Sequence, residues 1–211
     1  MAVVVDQATR LYLPPLRLDV TVREGVPRIV PLARLGRAIR AAALASRAPM
    51  PASVGLVLTA DAELASLNRE HMGKRGATDV LSFPLLPPEA FRPEAAGDAD
   101  PSSMGDHRQP MPPASATVGP AEASSFVLPP GERVALGDIA VSVERAIAQA
   151  RDGQGGQDAS TAWDPRDELL LLVLHGTLHL CGWDHAEPDE NRRMRALEWR
   201  LLRGRYDDEP V

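Results

Sequence analysis

Eleven of the chain's 20 prolines fall between Pro84 and Pro130, and a residue that lacks an amide hydrogen and fixes φ continues neither a helix nor an inner sheet ladder. The same span contains GDADPSSMGDHRQPMPPASATVGPAEASS, a Ser-, Gly- and Ala-rich run without the apolar period of a strand or a helix. It offers too few large apolar side chains to offset the entropy of ordering it. Residues 85–131 are therefore expected to be a disordered insertion inside one domain covering residues 1–211, because the segments on either side share one set of motifs.

Charge divides along the same boundary. The 211 residues carry a net charge of −6. Glu89, Glu94, Asp98, Asp100, Asp106 and Glu122 against Arg92 and Arg108 place −4 of it in the insertion, so the rest of the chain stands near neutrality and its composition does not exclude an anionic partner. There is no apolar run long enough to cross a membrane, and Met1–Val5 lacks the basic flank of a secretory leader. The single cysteine, Cys181, rules out an internal disulfide. The expectation is a cytoplasmic protein with no membrane partner.

Leu16, Leu18, Val20 and Val22 alternate with polar residues as in a half-buried strand. Further strands are expected at 54–59, 78–83 and 134–143, and helices at 31–47, 61–71, 143–150, 167–181 and 188–203. Asp61 and Asp164 are placed as N-caps and Gly182 as the stop of the fourth helix. This order predicts an α/β (α+β) fold, a single domain with a mixed sheet of about four strands and helices packed on it.

The chemistry concentrates in HGTLHLCGWDH, where His175, His179 and His185 fall within eleven residues. On a helix His175 and His179 leave the same face one turn apart, and a left-handed Gly182 lets the chain turn back so that His185 arrives as a third nitrogen ligand. Three imidazoles with an open fourth position are the set expected of one catalytic Zn2+ ion, which activates water for hydrolysis. Cys181, two residues past His179, falls on the side away from the metal and reads as core. Metzincin proteases share the H-x3-H-x5-H spacing, but their general base follows the first histidine, where this chain has Gly176. Met194, which could pass for the downstream methionine of those proteases, lies in a helical apolar pattern. A metzincin-like protease or other metal-dependent hydrolase is one reading of this site, and a non-catalytic metal-binding protein is another.

HGTLHLCGWDH, together with LNREHMGKRGATDVLSFP (Leu67–Pro84) and LGDIAVSVE (Leu136–Glu144), closely resembles the YbeY family of bacterial metal-dependent endoribonucleases. The resemblance covers most of the chain outside the insertion and the first fifteen residues. It implies a single-domain α/β fold, zinc on the three histidines, RNA as substrate (the 16S rRNA precursor), ribosome or small-subunit partners, and a role in 16S rRNA maturation and ribosome quality control. One departure stands out: where the family pattern carries a cleft arginine after L-N-x-x-[YFH], this chain has Met72, and the usual acidic residue three further on is Arg75.

Phosphodiester hydrolysis needs a cation to offset developing charge and a group that moves protons or orients a ligand. Lys74 and Arg75, with Arg69 behind them, are the candidates for the first role. Asp184 is the candidate for the second, read as a carboxylate that orients a ligand histidine. The arginines at 192, 193, 195, 200, 203 and 205 read equally as an RNA-binding face or as a solvated, salt-bridged helix. With 4% aromatic residues, no stacking platform for bases is indicated.

Overall fold

The computed structural model describes residues 6–76, 78–91, 132–152 and 163–204. Five strands form one sheet, β1 (Gln7–Leu13), β2 (Leu16–Val22), β3 (Ala52–Thr59), β4 (Val80–Pro84) and β5 (Val134–Ser142), in the order β1-β2-β3-β5-β4. The three middle strands are parallel, and β1 and β4 run antiparallel at the two edges. Among the described residues five α-helices accompany them: α1 (Leu32–Ala45), α2 (Asp61–Met72), α3 (Val143–Asp152), α4 (Pro165–Leu180) and α5 (Pro188–Leu202).

β1 is one strand more than the pattern predicts. Its residues do alternate, but only Leu13 is buried, so an edge strand with a half-exposed apolar side leaves a weak signal, and the prolines that follow it mimic a break. The other strands fall where expected, and β4 pairs with β5, Val80 opposite Val141 and Phe83 opposite Asp138. Of the Pro-rich stretch, residues 85–91 are described: a single 3-10 turn at Pro88–Ala90 leads to Phe91, which is buried in the main core. Residues 92–131, and His107 with them, lie outside the described residues.

Strand alternation sorts side chains between two faces. Leu16, Leu18, Val20, Val54, Leu56 and Ile139 join a core built with α1 and α4, whereas Val57, Leu81, Phe83 and Ala140 pack on Leu64 and Leu67 of α2. α4 is apolar on almost every side, burying Leu169, Leu170, Val173, Leu174, Leu178 and Leu180, as befits a helix enclosed by its neighbours. Truncating any of these leucines to alanine costs about 2–5 kcal/mol by the usual cavity penalty.

The helix ends are specified locally. Asp164 caps α4, its side chain accepting from the Arg166 amide at 2.9 Å, with Pro165 at the first position. At the other end Gly182 takes φ 78°, and two amides fold back, Trp183 N to Leu178 O at 3.1 Å and Gly182 N to His179 O at 3.1 Å. Asp61 does not cap α2. It is the first helical residue after Ala60, and its carboxylate accepts instead from Ser142 Oγ at 2.6 Å and from Arg145 at 2.8 Å, while Glu144 accepts from the Asp61 amide at 3.0 Å. A charged partner two strands away outcompetes the local cap, and the LGDIAVSVE motif thereby clamps α2 to the end of β5.

Candidate metal centre and cleft

α4 carries His175 and His179 on one face, and the Gly182 turn returns His185 to them. Their ligand atoms lie within 4.8 Å of one another. Nε2 of His175 and Nε2 of His179 stand 3.1 Å apart, close to the roughly 3.3 Å that separates two nitrogens on a tetrahedral zinc with bonds of about 2.0–2.1 Å. His175 Nδ1 lies 2.7 Å from Glu198 Oε1, and since an ionised carboxylate only accepts, Nδ1 carries the proton and Nε2 presents its lone pair toward the other rings. Three imidazoles aimed at one point thus fit a divalent cation such as zinc.

Burial, then the neighbouring His175 and His185, pulls the His179 imidazolium down from 6.5 to about 4, so at neutral pH this ring is a neutral imidazole with a nitrogen lone pair to offer. Below pH 6.5 the unfolded chain takes up a proton that the folded chain refuses until about pH 4. The metal-free protein is therefore expected to lose stability as pH falls through that window. Urea midpoints at pH 7 and pH 5 measure it, and the loss should shrink in His179→Ala; an equal loss in that variant contradicts the assignment.

Two helix faces make the cleft beside the histidines. Glu168, Leu171, Leu172 and His175 of α4 meet Asn191, Met194, Arg195 and Glu198 of α5, each set spaced i, i+3, i+4, i+7. Asp79, Gln149 and His185 complete the lining of a cavity of about 260 Å3. Asp79 accepts from the Val80 amide and from Gln149 Nε2, both at 2.9 Å. Burial pushes the Glu168 carboxyl up. Ser82 of β4 donates to Gly176 O at 2.9 Å, tying the edge strand to the helix turn that carries His175.

Gly176 itself faces the sheet. A Cβ there would stand 2.8 Å from Ile139 Cγ2 and 2.9 Å from Val80 Cγ2. The position that carries the general base in metzincins therefore points into packed β4 and β5 and not toward the histidines. Cys181 is buried, as its spacing predicts, and burial pushes its thiol up to about 12.

The remaining candidates are spread more widely. Asp184 accepts from the His185 amide at 2.7 Å; the carboxylate on a ligand imidazole is Glu198, which the sequence reading did not single out. Its signal was available only as a buried-side acidic residue four after Met194, indistinguishable in sequence from its solvated neighbours. Lys74 and Arg75 are exposed on the α2–β4 connection and do not line the cleft. Buried Asn68 holds that connection, its side-chain amide donating to Gly76 O at 3.1 Å and its backbone carbonyl accepting from the Lys74 amide at 3.3 Å. Met72 is exposed on the last turn of α2. Arg192 pairs with Asp189, whereas Arg195 reaches the cleft.

A family model described as endoribonuclease YbeY matches residues 32–205. The chain belongs to the YbeY family. A YbeY endoribonuclease of Symbiobacterium thermophilum is 34% identical over 152 residues, covering 72% of this chain and 70% of the relative. One from Thermobifida fusca is 33% identical over 190 residues, covering 90% and 94%, and one from Chloroflexus aurantiacus is 34% identical over 167 residues, covering 79% and 81%. In this YbeY chain LSFP supplies Ser82, which holds the histidine helix at Gly176 O, SVE clamps α2, and HGTLHLCGWDH supplies the histidines. No helix among the described residues is long and apolar enough to cross a membrane.

Glu198→Gln tests the imidazole brace. An amide can accept from Nδ1 but carries no charge, so zinc affinity is expected to fall about 10–100-fold, read by competition with a chelating dye; unchanged affinity would show that Glu198 braces only the fold.

Proposed function

We propose that this protein is a zinc-dependent endoribonuclease that hydrolyses single-stranded RNA in the cytoplasm, acting on the 16S rRNA precursor in small-subunit maturation and ribosome quality control. The observation that carries this reading is the convergence of three imidazole nitrogens beside an open polar cleft whose wall includes His175 and His185, in a chain of the YbeY family. One zinc ion on His175, His179 and His185 would supply an activated water and a Lewis acid toward a phosphoryl oxygen. Glu198 fixes the tautomer of His175, and Asp184 holds the backbone that brings His185 to the site. Lys74 and Arg75, on the connection that ends at the cleft-lining Asp79, are assigned to the phosphate charge of the strand.

The test is to incubate the zinc-loaded protein with single-stranded 16S rRNA precursor fragments and with casein, alongside metal analysis. Cleavage of RNA alone, with one zinc per chain, is expected. Cleavage of casein alone, or an intact metal site that hydrolyses neither, overturns the proposal and leaves the protease or the binding protein.

A further inference from the structure

The cleft presents an electrostatic puzzle to an anionic ligand. Three of its lining residues are acidic, Asp79, Glu168 and Glu198, but each is engaged or withdrawn: Asp79 holds Gln149 and the Val80 amide, Glu198 holds His175, and Glu168 is 2% exposed. Against them stands one side chain with a permanent positive charge. Among the described residues lining the cleft Arg195 is the only Lys or Arg, and it is exposed at the rim. Its Nε donates to Asn191 Oδ1 at 3.2 Å, one turn earlier on α5, which holds the guanidinium plane while its two terminal amino groups have no partner among the described residues. Arg195 also lies three residues before Glu198, so the helix turn that braces His175 carries this cation on the same face.

We propose that Arg195 contacts a phosphate of the RNA strand bound across the histidine cleft. A planar guanidinium with two free amino groups is suited to bidentate phosphate binding, and a tethered Nε reduces the entropy lost on contact. The assignment rests on the RNA reading of the site, and it places the strand along α5, on the side of the cleft opposite the α4 face.

Equilibrium binding of a short, unstructured, nuclease-resistant 2′-O-methyl phosphorothioate RNA to the zinc-loaded full chain tests this apart from cleavage. Arg195→Gln is expected to bind about tenfold more weakly, with a salt dependence shallower by about one phosphate contact. Arg195→Lys should keep the slope while losing part of the affinity. Arg192→Gln, whose side chain pairs with Asp189 outside the cleft, should match the wild type. Unchanged affinity and slope in Arg195→Gln, an equal loss in Arg192→Gln, or no RNA binding by the wild type each overturns the proposal. A wild type that binds this RNA through Arg195 yet cleaves no natural RNA defeats the nuclease reading instead, and leaves the contact standing.

Discussion

His179→Ala is expected to remove stoichiometric zinc and to lower RNA cleavage by about 10³-fold or more. His179 is the middle imidazole of the three: its Nε2 is 3.1 Å from that of His175, and its ring centroid is 5.0 Å from that of His185. Two imidazoles alone leave a cation bound to half a tetrahedron and sharply weaken it. A thermal readout separates lost chemistry from lost fold. Zinc at a hundredfold excess over its Kd should stabilise the wild type by about 2.7 kcal/mol and the variant not at all, while the metal-free variant still unfolds cooperatively. Retained zinc stoichiometry in His179→Ala would sink the three-histidine assignment.

Gly176→Glu writes the metzincin general base into this chain, and the expected result is a protein that fails to fold stably, with no protease gained. The new Cβ would meet Ile139 Cγ2 at 2.8 Å, Val80 Cγ2 at 2.9 Å and Ser82 Oγ at 3.2 Å. Overpacking of this kind costs about 1–3 kcal/mol, and a carboxylate pressed between helix and sheet adds several more. The sum approaches the whole of a typical domain stability of about 5–15 kcal/mol. Gly176→Ala keeps only the overpacking, so its urea midpoint should fall by less. A soluble Gly176→Glu protein with a wild-type midpoint and new casein hydrolysis would reverse the conclusion that residue 176 faces the sheet.

Much of this was legible in the linear chain because the relevant spacings are short. H-x3-H on a helix and a glycine stop before H are local geometry, and the structure shows the left-handed Gly182 and the converging nitrogens that this geometry predicts. The strand at Leu16–Val22 announced itself through alternation, and the α4 cap through Asp164-Pro165. The edge strand β1 did not, since a strand that buries one residue pays out little pattern. Asp61 was misplaced as a cap because its partners, Ser142 and Arg145, are 81 and 84 residues away. Glu198 was invisible for the same reason: it lies 23 residues from His175, and nothing local distinguishes it from the acidic residues that face solvent on the same helix.

By itself, then, the sequence determined the histidine triplet, the helix that carries two of its members and the glycine that returns the third, since backbone periodicity and a single φ constraint act within one or two turns. The tertiary structure decided which carboxylate braces His175, which cation reaches the cleft, and that Gly176 looks inward. Each of these depends on how α5 and β4 dock against α4, and docking follows from the burial of whole apolar faces, a property no short window of residues contains.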